Sequence, residues 1–571
     1  MKTARSKPRE GEVRVKILPK DPLVARQKGL WPEELDIVCP TPSHGPTGPH
    51  AVVVDYNSDL DVRFAQVRLQ ANGTFTGMAG LTNKTILSNF NFHQVNVWAI
   101  VERTLEMLEN KYLLGRAVPW AHGAGRLVLI PHAGYAENAF YDRGTGALHF
   151  FYFEGHQGET VFTCLSHDIV AHELGHAVLD GLKPGYNEVC SPETAGFHEY
   201  FGDAVAMVAS LGTRETALVV AKEARETLSA RNVVSAIASE FGAALRGIQD
   251  EEYLRGAWSQ RKVTDLRKSG NQEEHDWSEV LTGIYYELLS YLYALNRRDI
   301  VEDDRRTVAQ KSGKNVEAQH SMRALMRSAT QTAGVMFRAI DYCPPVDVRY
   351  DEYARAVLRA QEVAYPLDEQ GIRRFLIGAF RKRGIKIRKD EEERRGRVQR
   401  ALRELNVSET AGTQADAYRF LDQHRNLFDI PYDVNLTVCA VYRTNKHTKN
   451  GYRPPREHVI EFTWNEDVEL EGERFGPLDA TSVPLWCGGT VVFDSNGNFL
   501  HLALVPSTPT RKKQLKVYVS YLVRTGALAM ASAGNELGAP CSDNAAVVAR
   551  VTQGRAGLAR IAAMRHMRRR T

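Results

Sequence analysis

The chain has 571 residues, 43% hydrophobic, 25% charged and 9% aromatic, enough apolar material for roughly three or four ordinary domains with real cores. Wholesale disorder and fibrous architectures are excluded. Lys and Arg total 73 against 69 Asp and Glu, a formal net charge of +4, which creates no single-sign field large enough to dictate partners and argues against a nucleic-acid partner. The seven cysteines (Cys39, Cys164, Cys190, Cys343, Cys439, Cys487 and Cys541) are scattered and form no CxxC pair. That pattern points to a reducing compartment, away from a disulfide framework or a cysteine-ligated zinc site. The N-terminal MKTARSKPREGEVRVKILPKDP has no apolar core of a secretory signal, and no run of about 18 apolar residues occurs. The expectation is a cytoplasmic protein without a membrane partner, with export by a signal-less route as the alternative.

In chain order, the first ninety residues read as a loop-rich β region. Residues 50–56 (HAVVVDY) are mostly apolar and β-branched, and 62–69 (VRFAQVRL) alternate imperfectly before the Asn72-Gly73 turn signal. Residues 40–49, rich in proline and glycine, read as a surface connection. From 96 to 108 the period becomes helical, with Val97, Val101, Leu105 and Leu108 on one face. Residues 126–131 and 147–153 read as strands of a small sheet, and 166–182, 198–211, 216–228, 231–245, 277–295, 316–340, 350–363 and 371–383 as helices. Pro344-Pro345 stops the sixth of these. Strands followed by a run of helices indicate an α+β plan rather than alternating βαβ units. The charge run 386–403 reads as a solvated linker helix. Beyond it, 434–442, 458–464, 489–494, 499–505 and 515–523 read as strands, with Asn496-Gly497 as a hairpin turn. The segment from Gly526, ending RHMRRRT, reads as a mobile basic tail.

The chemistry lies in His172-Glu173-Leu174-Gly175-His176, an HExxH motif on the predicted helix 166–182. Residues four apart share a helix face, so His172 and His176 can aim two imidazoles at one ion. Glu173 points beside that pair, which suits a carboxylate that takes a proton from metal-activated water rather than one that ligates. The next helix begins His198-Glu199-Tyr200-Phe201-Gly202-Asp203. Glu199 supplies a third ligand and leaves a fourth zinc position for water, the pattern of a catalytic site. Asp203, one turn on, can accept the outward N–H of a ligand histidine.

With these motifs in this order the chain resembles the thermolysin-like, glutamate-zincin metallopeptidases, close to the thermolysin and fungalysin groups. HExxH and the downstream ExxxD (Glu199, Asp203) carry the resemblance, and Glu193–Glu199 (ETAGFHE) is similar in character to the family's approach to the third ligand. Asn138-Ala139-Phe140-Tyr141 resembles the family's edge segment that holds an extended substrate, and His275-Asp276-Trp277-Ser278-Glu279 resembles its oxyanion-histidine motif. The resemblance spans about residues 90 to 380. It implies an α+β thermolysin-like zincin with a β-rich lobe and a mainly helical lobe around one zinc ion, acting on a peptide or protein substrate. It further implies that Asn138 and Ala139 align the peptide and that His275 stabilises the oxyanion. The family's assisting tyrosine would fall near Cys190, so Tyr186 is the candidate on the same loop; the acid serving His275 is one of Glu273, Glu274 and Asp276. No clustered Asp/Asn loop supports calcium.

The expected organisation is a β-rich extension over 1–90, a zinc metallopeptidase domain over 91–385, a charged linker helix over 386–410, a β-rich accessory domain over 411–525 and a tail over 526–571. His93, His132, His149, His156, His167 and His198 lack ligand spacing and read as surface or satisfied core residues. Cys164 and Cys190 read as ordinary small residues. The alternative to a zinc endopeptidase is an inactive zincin-fold binding module acting through its C-terminal β domain. A regulatory protein partner would account for how an intracellular protease is restrained.

Overall fold

A computed structural model describes residues 8–560 of the chain apart from 40–44, 84, 124, 157, 225–226, 229–230, 247–254, 308–313, 388–389, 403–411, 449–451 and 532–546. The architecture is mixed α+β: small N-terminal sheets, a central helical region and a C-terminal seven-stranded sheet. The segment EVRVKI buries Val13, Val15 and Ile17 by strict alternation and forms the strand Glu12–Ile17, antiparallel to Glu33–Val38. The loop-rich reading of the N-terminus missed this pair. A four-stranded sheet follows, with Ala51–Val53, Leu127–Ile130 and Ala147–Phe150 parallel and Ala139–Asp142 antiparallel at its edge. The expected strand 62–69 contracts to Val62–Arg63, whose side chains are exposed.

Several helices differ from expectation at their ends, and capping explains the difference. The helix Phe90–Glu109 begins where the Asn89 side chain accepts from Phe92 N, ahead of the periodic stretch. Ser166 caps His167–Leu182 by accepting from Ile169 N. Pro192–Leu211 starts six residues before the expected position, because Ser191 accepts from Thr194 N and Pro192 fits the first turn. Every residue of these last two helices is buried, as in helices that form a core rather than cover one. The helix expected over 231–245 is confined to Ser239–Arg246, after a short strand Ala236–Ile237 and a left-handed Ala238. Glu274–Thr307 and Lys314–Phe337 complete the helical layer, and the charged run forms Asp390–Ala401. Among the described residues no single helix is long and apolar enough to cross a membrane.

The C-terminal sheet contains Thr437–Thr444, Glu457–Leu470, Thr481–Asp494 and Phe499–Val505, with Gly497 at φ +82 in the hairpin between the last two. Residues 515–523 are not a strand. They lie in the helix Pro509–Arg524, capped by Thr508, with Arg511, Leu515, Tyr518, Val519 and Leu522 buried at helical spacing. The segment after Gly526 is not simply a tail either: Leu528–Met530, Val547–Thr552 and Arg555–Arg560 join the same sheet. The RHMRRRT end lies outside the described residues.

The described residues form two hydrophobic cores. The larger gathers Trp98, Tyr200, Tyr285 and Tyr353 from the helices and takes in Val459 and Val492 of the C-terminal sheet; the smaller is built on Phe462, Trp464 and Val491 and takes in Val189. Buried ion pairs join the two regions: Lys183 to Glu461 at 2.6 Å, Lys446 to Asp341 at 2.7 Å and Arg511 to Asp347 at 2.7 Å. Each would leave an uncompensated buried charge if its partner were pulled away.

Candidate metal centre

Two adjacent core helices build the site. On His167–Leu182, His172 Nε2 and His176 Nε2 converge to 3.0 Å, as side chains one turn apart on one face can. From Pro192–Leu211, the Glu199 carboxylate reaches both, with one oxygen 3.6 Å from His172 Nε2 and the other 3.6 Å from His176 Nε2. All three residues are buried, and their donor atoms lie within 4.8 Å of one another, a set able to hold a metal ion. His172 Nδ1 sits 3.1 Å from Asp203 Oδ1, placed to donate outward and so leave Nε2 as the ligating nitrogen.

Such close convergence requires room between the helices. A Cβ on Gly202 would lie 2.7 Å from the His172 ring, and one on Gly175 would lie 2.8 Å from the Gly202 Cα. Two glycines, each three residues after a ligand, therefore set the crossing distance. Neither glycine figures in the expected site, although a small residue one turn after His172 and after Glu199 is a readable sign of close helix packing.

Glu173 is buried on the ligand helix beside His172. His275, at the start of Glu274–Thr307, brings Nε2 to 3.4 Å from Glu199 Oε2 while its Nδ1 lies 2.6 Å from Glu273 Oε1. This singles out Glu273 among the three neighbouring acids. Asp276 instead accepts from Asn271 and pairs with Arg261, and Glu274 pairs with Arg560. Burial opposes the Glu273 charge, but the His275 charge and hydrogen bond and the Asp276 and His275 backbone N–H groups outweigh it and hold Glu273 at about 2.

Tyr186 does not offer its hydroxyl to the site. It is fully buried and donates to the Pro344 carbonyl at 2.9 Å, so the candidate replacement for the absent tyrosine is committed to holding the loop. Its ring instead meets His198, which in turn lies 5.7 Å from His176. Asn138 and Ala139 open the edge strand Ala139–Asp142. Asn138 Oδ1 accepts from Ala139 N at 2.9 Å, and its carbonyl accepts from Phe151 N at 3.3 Å. Tyr141 of this strand donates to Asp180 on the ligand helix at 2.8 Å, and Arg143 also pairs with Asp180. The edge strand is thereby moored along the ligand helix, and among the described residues no strand pairs with its outer side.

Arg560, at the end of the last strand of the C-terminal sheet, was not anticipated. Its backbone N donates to Asn187 O at 3.1 Å, Ala559 bridges to Glu188, and its guanidinium pairs with Glu274. Burial works against its charge, but the carboxylates of Glu274 and Glu199, with Tyr518, keep its pKa above the ordinary value. Nothing in the spacing linked a residue this far along the chain to the HExxH helix. A second buried set, His93, His132 and Cys164, likewise places its donor atoms within 4.8 Å of one another and could hold a metal ion. From the sequence, His93 and His132 read as surface or satisfied core histidines for want of ligand spacing and Cys164 as an ordinary small residue; the fold brings the three together from distant segments. No protein-family model matches the chain, and no curated protein gives a match to it.

Proposed function

We propose that the chain is a zinc-dependent endopeptidase of the thermolysin-like, glutamate-zincin kind, with one zinc held by His172, His176 and Glu199. The observation that carries this reading is the buried convergence of two imidazoles and one carboxylate, with Asp203 behind His172. Two neutral nitrogens and a single carboxylate form the donor set of a catalytic zinc site, whereas calcium and magnesium favour all-oxygen sets. Zinc bound there supplies Lewis acidity towards a peptide carbonyl and lowers the pKa of water towards about 7.

The remaining steps belong to the chain's own residues. Glu173 accepts the proton of the attacking water and returns it to the departing amine. His275, as the imidazolium that the ionised Glu273 supports at Nδ1, donates from Nε2 to the oxyanion that develops on the substrate. The edge strand Ala139–Asp142, led by Asn138, takes an extended peptide on its outer side by strand addition. Glu173→Gln keeps the shape of the site and removes the base. It is expected to retain the parent's zinc content and to lose at least about 100-fold in cleavage of an unfolded casein. Equal cleavage by parent and variant would rule the mechanism out.

A second reading, a binding protein that keeps the metal without turnover, is favoured by one observation, the engagement of the Tyr186 hydroxyl with Pro344. It predicts zinc in the parent and no cleavage by either form.

A further inference from the structure

The second buried set lies at the entrance to the ligand helix. Cys164 belongs to the single turn Thr163–Leu165, directly before the capping Ser166. His93 comes from the helix Phe90–Glu109, and His132 follows the strand Leu127–Ile130. All three side chains have no exposed surface. His93 Nδ1 and His132 Nε2 approach to 2.8 Å, comparable to the 3.0 Å between the two histidine nitrogens of the HExxH pair.

The surroundings of each imidazole fix which nitrogen faces the cluster. His93 Nε2 lies 2.9 Å from the Leu87 carbonyl, so it donates outward and leaves Nδ1 as a lone-pair donor. His132 Nδ1 lies 2.9 Å from Asp55 Oδ2, which Gln94 Nε2 also holds at 2.9 Å, so its Nε2 faces inward. A carboxylate behind one imidazole and a backbone carbonyl behind the other are the two usual supports of metal-ligating histidines. Asn96 donates to the Cys164 carbonyl at 3.1 Å, which places the thiol-bearing turn against the same helix as His93. The Phe90 ring stacks on His132 at 4.1 Å, and Phe162 lies 4.7 Å from His93. Phe90 is itself 37% exposed, so the cluster lies one aromatic layer below the surface and an ion has a short way in.

From this geometry we infer that His93, His132 and Cys164 form a second metal site, for a thiophilic ion of the zinc or copper class, which pins the entrance of the ligand helix to the N-terminal sheet. Two imidazoles and a thiolate suit such borderline ions and not magnesium or calcium. Tetrahedral binding at Zn–N distances of about 2.0–2.1 Å sets ligand nitrogens roughly 3.3 Å apart, so the histidine pair has to open by only about half an ångström. The competing arrangement is a proton shared along Asp55, His132 and His93.

The test is metal analysis of the full-length folded protein, with absorption of its cobalt-substituted form. The parent is expected to hold about two ions per chain, and both Cys164→Ser and the double variant His172→Ala/His176→Ala about one. Cobalt-loaded parent and double variant are expected to show a thiolate-to-cobalt charge-transfer band that Cys164→Ser lacks. The HExxH ligand set contains no cysteine, so the band reports the second site alone, and it decides the matter in the parent and double variant even if Cys164→Ser does not fold. Absence of the band in folded parent, or loss of all bound metal in the double variant, would overturn the inference and leave the shared proton.

Discussion

At the scale of single residues, two imidazoles and one carboxylate from two helices meet closely enough to hold a metal ion, and Asp203 stands behind His172. His172 with His176, and Glu199 with Asp203, each share a helix face because residues four apart do; that the two faces meet is set by how the two helices cross, on which the repeat is silent. The acid behind His275 could not be chosen from Glu273, Glu274 and Asp276, because the choice depends on which way each side chain turns; the 2.6 Å contact to Glu273 decides it. Asp203 offers a direct check on the ligand set. Asp203→Asn is expected to weaken zinc binding by about 10- to 100-fold in competition with a coloured chelator, and unchanged affinity would show that His172 does not depend on it. Away from the site, His50 lies between Glu102 at 2.7 Å and Glu109 at 3.0 Å, and these hydrogen bonds, outweighing partial burial, push it up to about 10. A histidine raised in the folded state contributes stability that is complete below its unfolded value of about 6.5 and is lost as pH rises through about 10. Urea midpoints measured at pH 6 and pH 10 are therefore expected to fall more steeply for the parent than for His50→Gln. Parallel falls would remove His50 from the pH dependence.

At the scale of elements, the misread segment 515–523 shows how propensity and burial compete. Its valines and tyrosines favour a strand by composition, yet Thr508 and Pro509 start a helix just upstream and the buried positions recur every three or four residues. A strand would put Val517 and Val519 on one face, whereas the helix separates them: Val519 is buried and Val517 is 48% exposed. Val519→Asp is accordingly expected to cost about 3 kcal/mol or more, and Val517→Asp to stay within about 0.5 kcal/mol, by chemical unfolding. Similar costs at both positions would restore the strand. The early start of Pro192–Leu211 makes the same point from the other side. Ser191-Pro192 is a readable helix-start signal, which the expected start at 198 passes over.

At the scale of the whole molecule, the centre depends on contacts that no local pattern encodes. The C-terminal sheet sends Arg560 to Glu274 beside His275, and its Glu461 meets Lys183 just past the ligand helix. Long-range pairings of this kind join residues hundreds of positions apart, and periodicity carries no information about them. The α+β character was readable because strand and helix periods differ. The participation of Arg555–Arg560 in the sheet was not, because a glycine- and alanine-rich strand has a weak alternation signal. In the proposed function the helical region would supply the ligands and the base and the N-terminal sheet a strand edge for the substrate, while the C-terminal sheet places Arg560 against Glu274, next to His275 in the chain. The most direct test is cleavage of an unfolded casein by the full chain before chelation, after removal of metal, and after zinc is restored. The account predicts cleavage that disappears with the metal and returns with zinc; cleavage indifferent to chelation, or none in the zinc-loaded protein, would contradict it.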